Sequence, residues 1–456
     1  MRHTLLLQGP VGPFFDRWAK FLQENSDRKI WKIHFNRGDA HFYHQGNSFR
    51  YGDSFPSWPS FFRNFVQEHK ITEVFLCGDC RPYHRSILPI CQESSIDAWV
   101  FEEGYLRSHY ITLERGGVNA FSDDYSRPLA ELRPSLPLPQ NLSHRKPSTP
   151  FFPLVLNVRY YAFLAVEKYG TLLGNALSKI SHFFLGQSHS QKGKKDKGYL
   201  YQHYRSLSPM EILRFLRAFG RKLLYAPREH RIRKRFRERN GRFLFIVPLQ
   251  IAGDSQIMEH SDFPSIEAFI RQVLHSFAKA ASKNTCLVFK HHPLDRGHCH
   301  YGKFIEAMRR QCNLAPQRVL YVHTTPLSFF WPRALGCVTI NSTSGLSALQ
   351  SGIPTFCLGR CLYAREGITH RGSLDSFWRH PQRPQEDKVL QLADYWKSHV
   401  LIQTTFYRPP EHDLWDCIPP YLRTQLGLVR GQNRNDSILA LSHEAEVALS
   451  TSQQGI

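Results

Sequence analysis

Long apolar runs are what this sequence most plainly lacks. No uninterrupted apolar stretch approaches the roughly 20 residues that a membrane-spanning helix requires, which argues against a helical membrane span. Cysteine is sparse: ten in 456 residues do not make a disulfide-stapled scaffold. Cys77-Gly-Asp-Cys80 is a CxxC with no second pair at ligand-like spacing, and it follows the strand-like run EVFL. It reads as two small residues at a strand end rather than a redox pair or half a zinc site. Zinc-finger spacing and RNP-like aromatic patterns are absent, so nucleic acid is not an expected partner. Acidic residues are in deficit, 38 Asp and Glu against 59 Lys and Arg, and the formal charge is +21. A field of that sign favours anionic partners, whether lipid headgroups or phosphorylated substrates. The amino-terminal MRHTLLLQGPVGPFF has a basic end and a short apolar stretch but no small-residue cleavage site. It reads as a buried first strand, and the expected location is cytoplasmic.

What is present is ordinary globular composition, 41% hydrophobic, in a chain long enough for two or three cores. Residues 1–126 alternate strand-like runs (LLLQ, KIWKIHF, EVFLC, DAWVF) with helical stretches such as FFDRWAKFLQEN, the pattern of a parallel sheet wrapped by helices. Residues 127–240 lack that alternation. A Pro-rich linker leads to an aromatic helical stretch around 158–185, the polar basic run QKGKKDKG, a second helical stretch around EILRFLRAFGRKLLY, and RIRKRFRER. This region reads as a helical basic insertion with a possible membrane-surface role. From 241 to 395 the alternation resumes (RFLFIVPLQ, CLVFKHHP, RVLYV, GCVTIN, PTFCLG), and 396–456 reads as helices with a polar tail. The expected fold class is α/β with two Rossmann-like domains, and the default site is a cleft at the carboxyl ends of their strands.

Four stretches follow strand-like runs, where such proteins place their chemistry. In Gln8-Gly-Pro-Val-Gly-Pro, Gly9 and Gly12 make a constrained turn, either a plain connection or one that lets a ligand approach the backbone. In Glu102-Glu103-Gly104, two adjacent carboxylates at a strand end can raise one another's pKa, and one can act as base, acid or nucleophile. Pairing with Arg107 is the plainer reading of the same residues. KHHPLDRGHCH packs four histidines, a cysteine and an aspartate into residues 290–300. No separate ligand set completes a zinc site there, and His292-Pro293 is the part expected to function. Asn341, Ser342, Thr343 and Ser344 open a helical stretch, where hydroxyls and backbone N–H groups suit an anion.

Taken in order, QGPVGPFF, FNRGD, EEGYLR with ITLERGGVN, HHPLDRG, NSTSGLSALQSGIP and LDSFW resemble the capsule polysaccharide Kdo transferases of the KpsS (LipB) type. The resemblance covers residues 4–126 and 241–380. It implies a GT-B glycosyltransferase that retains configuration and transfers Kdo from CMP-Kdo to a lysophosphatidylglycerol acceptor, starting the poly-Kdo linker of a capsule. The acidic and His-Pro stretches are also similar to motifs of GT-B bacterial CMP-sialic acid transferases. By position, Glu103 becomes the principal carboxylate with Glu102 beside it, and His292, Pro293, Asn341, Ser342, Thr343 and Ser344 become the CMP site. Gly9, Gly12, Asp39, Arg107 and Asn119 fall in family-like stretches as possible substrate contacts. No cofactor and no metal are expected, since a single phosphate carries less charge than a diphosphate. The implied surroundings are an anionic membrane surface, the cytoplasmic face of the inner membrane and a KpsC-type Kdo transferase partner. Two alternatives stand beside this reading: a CMP-nonulosonic acid transferase with another acceptor, and a non-catalytic capsule assembly or export scaffold.

Overall fold

The computed structural model describes residues 1–107, 109–135, 209–238, 241–253, 255–408, 410 and 412–430. The aromatic stretch around 158–185, the run QKGKKDKG and the tail after 430 lie outside the described residues. Two compact units divide the chain: the first holds Met1–Val118, Ser135 and the described residues from Trp396 on, the second Asn119–Pro134 and the described residues from Pro209 to Tyr395.

The first unit is built on a seven-stranded sheet. Its order is β12 (Leu401–Ile402), β6 (Ile111–Arg115), β5 (Asp97–Glu103), β4 (Glu73–Cys77), β1 (Arg2–Leu7), β2 (Arg28–His34) and β3 (Ser48–Arg50). Strands β1 to β5 pair in parallel. The apolar runs LLL, VFLC and AWVF of β1, β4 and β5 follow from burial on both faces. Leu6, Phe75 and Phe101 pack under helix Phe14–Asn25, where Trp18 meets Phe101 edge-on at 5.2 Å. Leu5, Leu7, Val74, Leu76 and Val100 point to the other face, against Trp58 and Phe62 of helix Trp58–Glu68. Beyond β5 the sheet turns antiparallel, through β6 and then β12. The connection from Glu103 to Ile111 is too short for a parallel crossover, which needs a dozen or more residues, so the chain must fold back as a hairpin.

The second unit is a five-stranded, wholly parallel sheet ordered β11 (Thr355–Cys357), β10 (Ala334–Thr339), β7 (Leu244–Pro248), β8 (Cys286–Lys290) and β9 (Val319–Val322). One face carries Phe245, Val247, Leu287 and Phe289 against helix Ile266–Ala280, whose first turn is capped by Ser265. The other carries Leu244, Ile246 and Val288 with Phe236 of helix Pro209–Arg237. The two Rossmann-like α/β units read from the sequence are therefore both present. Among the described residues, no helix is long and apolar enough to cross a membrane.

Candidate active site

In the first unit, the ends of β1, β2, β4 and β5 bring together a polar cluster. Glu102 and Glu103 close β5 opposite Thr112 and Ile111. Gly104 follows because nothing larger fits: a Cβ there would lie 2.2 Å from the Tyr110 carbonyl oxygen, which accepts the Gly104 N–H at 3.0 Å. The two carboxylates have different surroundings. Glu103 accepts the Tyr407 hydroxyl at 3.2 Å. Glu102 accepts the Glu103 N–H at 3.0 Å and sits beside the left-handed Gly78. Burial pushes the Glu102 carboxyl up to about 7, with the Asp79 and Glu103 charges adding and the Glu103 N–H and Arg81 opposing. Such a carboxyl has both protonation states accessible near neutral pH. Arg107 is exposed on the hairpin and, among the described residues, forms no ion pair with either carboxylate.

The QGPVGP turn joins this cluster. Gln8, Gly9 and Gly12 have φ of 54°, 118° and 116°, and a Cβ on Gly9 would press to 2.9 Å from the Phe15 ring. The turn is held from below by two buried cations. Arg81 donates to the Gln8 side-chain oxygen and the Gly9 carbonyl, both at 3.2 Å, and Lys32 donates to the Gln8 carbonyl. Asp39 accepts from the Gln8 amide and the Phe35 N–H, each at 3.3 Å. Burial lowers Lys32 to about 8 against the pull of Asp39, and burial raises Asp39 against the pull of Lys32. A small pocket opens here, lined among others by Gly12, Lys32, Gly38, Asp39 and Tyr43. Neither Lys32 nor Arg81 was singled out from the sequence. Lys32 lies in the strand RKIWKIH, where its type does not set it apart from the exposed Lys29, and Arg81 follows the CxxC, whose Cys77 is pushed up to about 12 by burial and so stays a thiol.

In the second unit, the loops after β8 and β10 hold the other expected residues. Lys290 ends β8 and donates to the carbonyls of His291 and His323 at 2.9 and 2.7 Å, tying two loops together. The His291 ring meets the Tyr321 hydroxyl at 2.7 Å, and burial drives it down to about 3. It is a core histidine. His292 caps the short turn Pro293–Asp295, its Nδ1 accepting the Leu294 N–H at 3.3 Å. A neutral ring that accepts at Nδ1 carries its proton on Nε2, which makes Nε2 a donor. Asp295 accepts the Ala252 N–H at 3.1 Å, and Arg296 donates to the His323 carbonyl at 3.0 Å, so both shape the loop.

Ser342 is the N-cap of helix Thr343–Gln350, accepting the Ser344 N–H at 3.1 Å. The hydroxyls of Thr343 and Ser344 are half-buried in the first turn, with no hydrogen-bond partner among the described residues. Asn341 is engaged by Gln250 at 2.9 Å and by the His260 carbonyl at 3.1 Å, so its amide fixes the loop. Gly345 lets the helix approach Tyr363, whose hydroxyl would lie 2.5 Å from an added Cβ. Asn119 belongs to this unit and has φ of 57° at the start of a short turn.

Sequence reasoning also missed Glu229. From helix Pro209–Arg237 it accepts the backbone N–H groups of His323, Thr324 and Thr325 and both threonine hydroxyls. Burial pushes this carboxyl up, but the bonds from Thr324, His323 and Thr325 outweigh it and hold it below its ordinary value. A wide depression lined by Arg235, Phe243, Lys283, Cys286 and Arg318 opens at the amino ends of these strands. It is at the wrong end of the sheet for His292, so it is not the candidate site.

Two α/β units, each with polar loops at the carboxyl ends of parallel strands, define an architecture suited to binding nucleotide-linked and anionic ligands. The family described as "Capsule polysaccharide biosynthesis protein" matches residues 72–169 and 195–407, and the chain belongs to it. It is 36% identical over 415 residues to the capsule polysaccharide modification protein LipB of Neisseria meningitidis serogroup A, covering 89% of this chain and 91% of that protein. It is 32% identical over 410 residues to the capsule polysaccharide export protein KpsS of Escherichia coli, covering 88% and 94%. Among solved structures, it is similar to the beta Kdo 2,4 transferase of Thermosulfurimonas dismutans KpsC, with TM-score 0.38, 12% identity, and 86% and 91% of the two chains covered.

Proposed function

We propose that this chain is a GT-B glycosyltransferase that moves Kdo from CMP-Kdo to a lysophosphatidylglycerol acceptor, beginning a capsule's poly-Kdo linker. It works with retention, without metal, at the cytoplasmic face of the inner membrane beside a KpsC-type transferase. The observation that carries the reading is the pair at the end of β5: Glu103 held by the Tyr407 hydroxyl and Glu102 kept near neutrality.

In this mechanism the Glu103 carboxylate attacks the anomeric carbon, and the bond from that carbon to the CMP phosphate breaks, its electron pair leaving with CMP. The His292 Nε2–H, the Thr343 and Ser344 hydroxyls and the helix N-terminus stabilise the phosphate as its charge grows. An acceptor hydroxyl then attacks the glycosyl-enzyme, gives its proton to the Glu102 carboxylate, and releases Glu103. Lys32 and Arg81 supply a positive field for the Kdo carboxylate, with Gly9, Gly12 and Asp39 forming the turn around it.

The test is CMP release from CMP-Kdo, generated in situ, with and without synthetic lysophosphatidylglycerol. Acceptor-dependent CMP release that is lost in Glu103→Gln supports the reading. Release with another nonulosonic acid donor alone moves the donor assignment, and no release with any CMP-sugar leaves the export-scaffold reading, which the name of the Escherichia coli relative favours.

A further inference from the structure

Helix Pro209–Arg237 is turned inside out over its first half. The residues facing its own unit are Arg214, Ala218, Arg221, Tyr225 and Glu229, spaced three and four apart. Their contacts are polar or close-packed. Arg221 donates to the carbonyls of Arg296 and Cys299, the Tyr225 hydroxyl meets the His300 ring nitrogen at 2.6 Å, and a Cβ on Gly297 would lie 2.1 Å from the Arg214 carbonyl oxygen. The opposite face carries Leu213, Phe215, Leu216, Phe219, Leu223 and Leu224, exposed by 58 to 78%. An ordinary surface helix buries its apolar stripe and shows its charges; here Arg214, Arg221 and Glu229 face inward, the arginines half-buried, and the apolar stripe is shown. Scattered exposed leucines need no explanation, but six on one helix face do.

What covers this face can be argued from charge. The helix holds ten Lys and Arg against two acids, Glu211 and Glu229, and Glu229 is consumed by the His323–Thr325 loop. Arg217 and Lys222 are exposed at the two borders of the apolar stripe. A second copy of this chain would oppose like charges in a molecule already carrying +21. An anionic bilayer surface satisfies both requirements at once, taking the phenylalanine and leucine side chains into the acyl boundary and the basic border into the headgroups.

We propose that residues 213–224 form an in-plane docking element for an anionic lipid surface, with Phe215, Phe219 and Leu223 as its inserted side chains and Arg217 and Lys222 as its headgroup contacts. This deepens the membrane-surface part of the proposed function and rests on that part, but it is independent of the transfer chemistry.

The experiment is co-sedimentation of the full chain with phosphatidylglycerol and with phosphatidylcholine vesicles, on wild type, F215S/F219S/L223S and R217E/K222E. Wild type is expected to sediment with phosphatidylglycerol only, and each variant to lose roughly tenfold or more of that binding. All substituted side chains are exposed, so thermal melts should be unchanged, and the charge variant stands if the apolar one fails to fold. Vesicle binding equal to wild type in both variants overturns the proposal. So does a wild-type oligomer, by light scattering, that the apolar variant dissociates with vesicle binding intact. Vesicle binding needs no donor sugar, so failure of the transfer reading in the CMP-release assay is a separate result.

Discussion

Tyr407 donates its hydroxyl to Glu103 across 304 residues of chain, at 3.2 Å, while the neighbouring Glu102 carboxyl accepts the Glu103 backbone N–H at 3.0 Å. Burial raises the Glu102 carboxyl, and the Glu103 N–H opposes it. If Glu103 attacks the anomeric carbon, Glu103→Gln should lower kcat by about 10²- to 10⁴-fold with the melting temperature unchanged. Tyr407→Phe should lower it less. A Kdo adduct trapped on Glu103 and read by mass spectrometry checks the assignment directly; an adduct on another residue would sink it.

Glu102 makes a pH prediction with a definite sign. Its folded pKa is raised from 4.5 to about 7, so between those values the native state binds more protons than the unfolded chain. Stability from this group therefore falls as pH rises through that window. Glu102→Gln should gain on the order of 1–3 kcal/mol over wild type at pH 8 and little at pH 4.5, the half-buried position holding the gain below the full shift. Urea melts at the two pH values measure it, and an equal gain at both would contradict the raised pKa.

Glu229 predicts the opposite dependence. Its carboxyl is held below its ordinary value, so its contribution is present above about pH 4.5 and is lost as pH falls through the folded pKa. Glu229→Ala leaves the donors of His323, Thr324 and Thr325 unpaired and should cost about 2–4 kcal/mol at pH 7. The deficit relative to wild type should shrink in acid, as denaturant melts across pH 3 to 7 would show.

The first turn of helix Thr343–Gln350 separates capping from ligand binding. Ser342→Ala removes the cap on Ser344 N–H and should cost about 1 kcal/mol of stability. Thr343→Ala removes a hydroxyl with no hydrogen-bond partner among the described residues and should leave stability nearly unchanged while raising KM for the CMP-sugar. His292→Ala should likewise raise KM. Calorimetry beside steady-state kinetics tests the contrast, and Thr343→Ala with unaltered KM would remove that hydroxyl from the donor site.

Much of the fold was legible. Strands such as EVFLC and CLVFK are short, nearly continuous apolar runs because both faces of each sheet are covered, and their length and alternation with helical stretches locate them. The antiparallel edge was not legible as such, although the short connection after Glu103 contains its cause. In the candidate site, residue type and position after a strand pointed to Glu102, Glu103, His292 and Ser342. The buried cations were invisible for a physical reason: in RKIWKIH nothing in residue type separates the buried Lys32 from the exposed Lys29, and Arg81 gains its role only from oxygens brought close by the turn at Gln8. The assignment of Asn341 to the donor site stays a proposal, with its amide engaged by Gln250 and His260.

The sequence by itself determined the two α/β units, the family and the excess of positive charge, because these follow from periodicity, ordered motifs and counting. Only the tertiary structure decided that the Glu102 carboxyl is desolvated, which histidine of KHHPLDRGHCH is core and which caps a turn, and which face of helix Pro209–Arg237 is outward. Those depend on what each side chain meets across long stretches of chain, and burial and hydrogen bonding, rather than residue type, set the result.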